Sequence, residues 1–273
     1  MPASDCHLIV QISDTHILPP GQWLDQRVDT ATGLRAAVRR IRALQPAPLG
    51  VLVTGDLVDA GTPQHYAHLR ELLSSLEVPV WLMPGNHDDR EALRAAFPEH
   101  SWLCNDNGAG FIQYTVDLPG LRLVTLDTVV PGAGHGALCR HRLDWLDRTL
   151  AQAPLTPTLV AMHHPPFDTH IGHMDAMGLL EGCAAFTDLV GRHRQVERIV
   201  CGHIHRSVQR RLAHTVALTI PSTAHQITLE IGDGPGSYLL EPPGLALHVW
   251  RHGQDLTSHL LPTGDFPGPF AFD

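Results

Sequence analysis

The residues with the clearest chemical capacity sit in five short stretches: Asp14-Thr15-His16, Gly55-Asp56, Gly85-Asn86-His87-Asp88-Asp89, His163-His164-Pro165-Pro166 and Gly202-His203-Ile204-His205. The third is the densest. A turn needs glycine and sometimes asparagine for its backbone, whereas this one adds an imidazole and two carboxylates that offer nitrogen and oxygen to a metal ion or a reacting group. Each stretch alone is a weak signal, since a Gly-Asp or His-His pair is common by chance. All five follow an apolar run that stops where the donors begin, and together they suit a pair of cations. A carboxylate has two oxygens and bridges two ions, and mixed nitrogen and oxygen donors accept Fe, Mn, Zn or Co. Two ions ~3.5–4 Å apart serve an in-line displacement at phosphorus, one activating water and both stabilising the phosphorus oxygens.

The apolar runs predict the elements that hold these donors. Residues 8–13, 49–54 and 78–82 read as buried strands, and helices are expected over 30–44 and 63–76 between them. Leu34, Val38 and Ile41 give the first helix one apolar stripe, and Pro46 and Pro48 follow its end. The resulting βαβαβ order predicts parallel strands with right-handed crossovers, so Asp14 and His16, Asp56, and Asn86 and His87 arrive at one edge. Further strands are expected at 121–126, ending at Asp127-Thr128, at 158–162 and at 196–201. Helices are expected over 141–150 and around Phe186, Leu189 and Val190. Residues 97–120 are less regular, with Asn105-Asp106-Asn107-Gly108 as a turn. After Arg206 the helical period stops, and short apolar segments near 214–220, 225–231, 237–240 and 245–250 read as antiparallel strands.

Composition excludes several classes. With 43% hydrophobic and 17% charged residues among 273, the chain has the make-up of a globular protein with a full core. Its 28 acidic against 19 basic residues give a net charge of −9, which disfavours a nucleic acid polymer as partner. Five cysteines with no Cys-x-x-Cys pair suggest reduced thiols and a cytoplasmic location. No apolar run approaches the ~18 residues of a membrane span, so no membrane association is expected. The outlying count is 20 His, the commonest metal ligand and proton carrier.

The five blocks together resemble the calcineurin-like metallophosphoesterase superfamily. Their spacing, with His163-His164-Pro165-Pro166, Pro221-Ser222-Thr223-Ala224-His225-Gln226 and Leu240-Glu241-Pro242-Pro243-Gly244, is similar to the class III cyclic-nucleotide phosphodiesterase and glycerophosphodiesterase branch. The resemblance implies a four-layer α/β/β/α sandwich with a mostly antiparallel C-terminal β region, holding two divalent metal ions (Fe, Mn, Zn or Co). It implies that Asp14, His16, Asp56 and His205 bind the first ion and that Asp56, Asn86, His163 and His203 bind the second, with Asp56 as the bridge. His87 would orient the phosphate and protonate the leaving alkoxide, and a metal-bridging hydroxide would be the nucleophile. The implied activity is a metal-dependent phosphodiesterase acting on a 3′,5′-cyclic nucleotide or a glycerophosphodiester. The alternatives are a phosphomonoesterase or nuclease on the same dinuclear site, or a non-catalytic metal-binding interaction module. One domain spanning 1–273 is expected, with residues 207–252 contributing a β subdomain for dimerisation, and a homo-oligomer, dimer or higher, is implied.

Several neighbours of these positions have two readings. His164 is either a further donor or a hydrogen-bonding support. Asp88 and Asp89 support the site or cap the next helix. His170, His173 and Asp175 line the substrate pocket or belong to a solvated loop, and His225 is either branch-specific or structural. His65, His68, His100 and His193 are expected at the surface.

Overall fold

The computed structural model describes residues 6–104 and 110–272, so the turn expected at 105–108 lies outside the described residues. β1 (Cys6–Ile12), α1 (Thr30–Arg42), β2 (Val51–Thr54), α2 (Pro63–Leu73) and β3 (Val80–Met83) form the expected βαβαβ unit. Its strands are parallel, with Val10 opposite Val51 and Val53 opposite Leu82. Asp29 caps α1 by accepting from the Thr32 amide at 2.9 Å, and Leu34, Val38 and Ile41 are its buried stripe. α3 (Arg90–Ala96) follows, then β4 (Tyr114–Leu118), β5 (Leu121–Leu126), β6 (Gly136–Ala137), α4 (Arg140–Ala151), β7 (Thr158–Met162), α5 (Gly172–Asp175), β8 (Leu179–Glu181), α6 (Cys183–Arg192) and β9 (Val196–Cys201). The chain ends with β10 (Gln209–Leu212), β11 (Thr215–Thr219), β12 (Gln226–Ile227), β13 (Tyr238–Leu239), β14 (Gly244–Arg251) and β15 (Thr257–Pro262).

Two sheets result, in the orders β15-β14-β1-β2-β3 and β10-β11-β9-β7-β5-β4. Alternation along the second sheet explains why it is buried on both faces. Leu123, Leu159 and Val200 point to the layer shared with Ile9 and Leu52 of the first sheet, whereas Val124, Val160 and Ile199 pack with Leu146 of α4 and Phe186 of α6. α1 and α2 cover the other face of the first sheet through Leu34, Ile41, Tyr66 and Leu69. The molecule is therefore an α/β/β/α sandwich. Each fully buried Leu or Ile contributes roughly 1.5–3 kcal/mol relative to its exposed state, which is why near-continuous apolar runs mark these strands.

The region after Arg206 is divided between the two sheets. β14 runs antiparallel to β1 and β15, β10 is antiparallel to β11, and β12 and β13 make a separate two-residue pairing. β11 instead lies parallel to β9. β15 is an edge strand with largely exposed side chains and carries little apolar signal; β4, also at an edge, alternates Tyr114, Val116 and Leu118 inward with Thr115 and Asp117 outward, a short period-2 signal that the reading of 97–120 as irregular passes over. His68, expected at the surface, is buried and its Nδ1 pairs with the Leu18 carbonyl at 2.6 Å. Among the described residues no helix is long and apolar enough to cross a membrane.

Candidate metal centre

The donor stretches all sit just past the ends of β1, β2, β3, β7 and β9. The backbone there is unusual. Asp14 (φ 53), His16 (φ 42), Asp56 (φ 47), His203 (φ 70) and His205 (φ 49) all occupy the left-handed region, at ~1–3 kcal/mol each for a non-glycine residue. The turns draw these side chains inward instead of letting them continue the strand's alternation. Glycine is needed where the turns meet: a Cβ on Gly202 would lie 2.1 Å from Ser13 Oγ, and one on Gly85 would lie 2.3 Å from the Asp56 amide nitrogen.

Two groups of donors converge. Asp14, His16, Asp56 and His205 form one buried set, and His163 and His203 lie in a second. The two oxygens of Asp56 divide between them, Oδ2 at 3.7 Å from His16 Nε2 and Oδ1 at 3.4 Å from His163 Nε2. Asn86 Oδ1 is 3.1 Å from His163 Nε2, which places the amide in the second group. His205 Nε2 is 3.4 Å from Asp14 Oδ1 and 3.1 Å from His16 Nε2. All eight residues expected at the centre, His87 included, are thus brought to one place.

Carbonyl oxygens orient two of the rings. His163 Nδ1 pairs with Thr54 O at 2.7 Å and His205 Nδ1 with His225 O at 3.0 Å. A carbonyl only accepts, so each Nδ1 carries a proton and each ring turns Nε2 toward the centre, the atom through which it would meet an ion. His203 Nε2 is buried without any hydrogen-bond partner. Burial works to raise Asp14, yet His205 and His163 hold its carboxyl down at about 2, and His163 and His16 hold Asp56 well below the usual carboxylate range. Burial and then His163 push His203 down to about 3, leaving it neutral. Burial works against a charged His163, but Asp56 and then Asp14 raise it to about 9, so without an ion this ring holds the proton that a cation would replace. Ionised carboxylates, an orphaned nitrogen on His203 and an imidazole whose proton a cation can displace fit divalent ions.

His87 stands on the open side, with its ring edge-on to His16 at 4.7 Å between centroids. Its Nδ1 donates to the Asp59 carbonyl at 2.8 Å, leaving Nε2 for the cavity. Partial burial works against the charged ring, but Asp56 and Asp59 outweigh it and raise its pKa above the ordinary histidine value. Asp59 itself was not singled out from the sequence. Its carboxylate is 3.7 Å from His16 Nδ1, and the available signal was its spacing in Gly55-Asp56-Leu57-Val58-Asp59.

The residues with two readings resolve by their partners. Both nitrogens of His164 are occupied, Nδ1 by Thr128 Oγ1 at 2.8 Å and Nε2 by Gly134 O at 3.2 Å. It lies close to His163 and His203, but those bonds leave it no free lone pair for a cation, so it supports the turn. Asp89 caps α3, accepting from Ala92 N at 2.8 Å. Asp88 accepts from Gly85 N at 2.8 Å, Leu57 N at 3.0 Å and Tyr66 Oη at 2.9 Å. Asp175 accepts from the amides of Thr169 and His170 at 2.7 and 2.8 Å, stabilising a turn.

A cavity of about 280 Å³ opens over the centre, lined by His87, Leu24, Asp25, Met174, Met177, His225, Ile227 and Tyr238. From the segment after Pro166 the wall takes Met174 and Met177, not His170, His173 or Asp175. The Tyr238 hydroxyl donates to Asp25 Oδ2 at 3.0 Å, joining β13 to the loop after β1.

The family description "calcineurin-like phosphoesterase" matches residues 7–207. The chain belongs to that family. Metallophosphoesterases use a dinuclear metal site, and the buried His/Asp clusters described above are where this chain has the donors for one. It is 36% identical over 266 residues to a probable glycerophosphodiester phosphodiesterase, GpdQ, of Arcobacter nitrofigilis, covering 97% of this chain and 96% of that one. It is also 36% identical over 264 residues to a probable cyclic nucleotide phosphodiesterase of Rhodopseudomonas palustris, covering 92% and 90%. A dimetal phosphatase from Danio rerio has the same fold, with a TM-score of 0.62 at 15% identity over 92% of this chain and 98% of that one.

Proposed function

We propose that this metallophosphoesterase hydrolyses small phosphodiesters, a 3′,5′-cyclic nucleotide or a glycerophosphodiester, the two substrate types in the names of its relatives. Asp14, His16, Asp56 and His205 hold one divalent ion, and Asp56, Asn86, His163 and His203 hold the other. The observation that carries this assignment is the division of the Asp56 oxygens between two convergent donor groups. When bound, the ions supply an activated water and stabilise charge on the phosphorus oxygens. The chain's own residues do the rest. His163 and His205 are held as Nδ1–H tautomers by carbonyls, which keeps their lone pairs aimed inward. His87, its Nδ1 proton committed to the Asp59 carbonyl, carries a second proton on Nε2 and gives it to the leaving alkoxide. Leu24, Met174, Met177 and Ile227 exclude water from the alcohol portion of the substrate. Among the described residues no arginine lines the cavity, and the chain has no lysine. This favours a diester monoanion over a monoester dianion or a nucleic acid polymer.

Chelation with EDTA should abolish hydrolysis of bis(p-nitrophenyl) phosphate and Mn²⁺ should restore it; activity indifferent to both sinks the proposal. His87→Ala should lower kcat by ~10²–10⁴-fold with metal content unchanged, and a matching loss of metal would remove its acid role. Which metals serve in the cell, among Fe, Mn, Zn and Co, is read by metal analysis of protein purified without added ions. We further propose that 1–273 is one domain that forms a homo-oligomer through 207–252. In or near this segment Leu229, Ile231, Leu239 and Leu240 are exposed, and light scattering measures the mass. A cytoplasmic location is supported by five unpaired cysteines.

A further inference from the structure

Beneath the donors, inside the sandwich, runs a polar chain that the chemistry above does not use. Gln11 of β1 and His248 of β14 are both 0% exposed. The orientation of the Gln11 amide follows from its partners. The Cys201 carbonyl only accepts, so Gln11 Nε2 is the end that reaches it, at 3.1 Å, and it also donates to Thr54 Oγ1 at 2.9 Å. Oε1 then faces His248 Nε2 at 3.0 Å, which must donate, and His248 Nδ1 accepts from Ser258 Oγ at 2.9 Å. The neutral ring suffices for both bonds.

This chain lies in a layer otherwise built from residues such as Ile9, Leu52, Val200 and Ala246. Apolar side chains of similar volume would fill the space without any group to satisfy, so stability alone does not call for it. It touches the base of the metal centre twice. Thr54, whose hydroxyl takes one Gln11 bond, uses its carbonyl to orient His163 at 2.7 Å. Cys201, which takes the other, directly precedes Gly202 and His203. Gln11 thus joins β1 of one sheet to β9 of the other immediately below the histidines that the second sheet supplies.

The two donor groups differ in their sensitivity to a slip between sheets. Asp14, His16 and Asp56 follow first-sheet strands and only His205 follows the second sheet. The other group takes Asp56 and Asn86 from the first sheet, and His163 and His203 from the second. We propose that Gln11, braced by His248, is a positioning residue that fixes the spacing of the two sheets under the centre and thereby the affinity for the ion of the second group. The inference rests on the two-ion reading above, but ion binding tests it independently of turnover.

The test is calorimetric titration of metal-stripped protein with Mn²⁺, together with the electron paramagnetic resonance signal of the coupled Mn²⁺ pair. Gln11→Met should weaken one of the two ions by ~10-fold or more and leave the other within ~3-fold, the size expected for losing a support behind metal ligands. The pair signal should then be lost at Mn²⁺ concentrations that saturate the parent. His248→Met should act in the same direction, less strongly, and His248→Gln, which keeps a donor toward Gln11, should lie between it and the parent. Trp250→Phe is the control, because its indole also bonds across the sheets, to Pro119 O at 2.9 Å, but at the far end of β5; it should lower Tm with no selective loss. Unchanged or equally weakened ions in Gln11→Met, or the same selective loss in Trp250→Phe, overturn the inference. Should Gln11→Met fail to fold, the His248 pair decides, and equal binding by His248→Met and His248→Gln counts against it. A parent that binds two ions without hydrolysing diesters removes the proposed function alone. A parent that hydrolyses them while Gln11→Met binds both ions normally removes this inference alone.

Discussion

Replacing Asp88 by alanine should be the most damaging change at the site that removes no proposed metal donor. Asp88 is 8% exposed, and its carboxylate accepts from the Gly85 and Leu57 amides and from the Tyr66 hydroxyl. Those amides belong to the turns after β3 and β2, next to Asn86 and Asp56, so one side chain holds both turns to α2. Alanine leaves two buried N–H groups unsatisfied at ~1–3 kcal/mol each, or about 4 kcal/mol together. Tyr66 is partly spared because its hydroxyl also contacts Asp89 O at 3.3 Å. For a chain of this length ~1 kcal/mol moves Tm by roughly 2 °C, so Asp88→Ala should melt ~8 °C lower. Asp88→Asn separates bracing from charge. Burial and the Asp56 carboxylate push Asp88 up to about 7, and the amide imitates the protonated acid while keeping an oxygen for the two N–H groups. It should melt within ~3 °C of the parent. Differential scanning calorimetry measures both variants. An alanine variant within ~2 °C of the parent, or an asparagine variant as unstable as alanine, would refute the bracing role.

Three other perturbations have directions set by the structure. Gly202→Ala places a Cβ against Ser13 Oγ, Thr54 O and Asp14 Oδ2; the strand end must shift, and Mn²⁺ titration should show weakened binding, whereas parent-like binding would mean the contact relaxes freely. Burial, with Arg198 adding to it, lowers His248 from the ordinary histidine value of 6.5 to about 3. Its neutral-ring stability is therefore fully present above pH 6.5 and lost as pH falls toward 3, by ~2 kcal/mol at pH 5. His203 and His225, each lowered to about 3, lose stability over the same range, so urea unfolding at pH 7.5 and 5 should show a loss ~2 kcal/mol larger in the parent than in His248→Gln; equal losses would rule out a contribution from His248. Arg90 binds Asp127 through Nε and Nη2 at 2.7 and 2.8 Å, beside the turn that carries Asn86. Arg90→Met should cost ~3 kcal/mol, at the low end for a broken buried pair because Arg142 stays near Asp127. A loss under ~1 kcal/mol in urea unfolding would contradict this.

The five donor stretches, and the strand-to-turn logic that presents them, are legible in the sequence. Apolar runs at 51–54, 80–83, 158–162 and 196–201 are strands because both of their faces are covered, and donors that follow such runs end at one edge whatever the loops between them do. The pattern could not show which sheet each strand joins, since a fully buried strand has the same composition in either. It also missed β15, whose exposed side chains leave no apolar period, and β4, whose period of Tyr114, Val116 and Leu118 is too short to stand out in an irregular stretch. The division of the donors is implied by the family resemblance, and the packing of the sheets supplies its physical basis. Asp56 reaches two groups because its φ of 47° turns it between strands from different sheets. His164 is excluded as a donor because Thr128 and Gly134, both distant in sequence, occupy its nitrogens. Asp59, Tyr238 and the Gln11 to His248 chain acquire meaning from partners up to 237 positions away. Those hydrogen bonds depend on the packing of one sheet on the other, and local sequence carries no record of that distance.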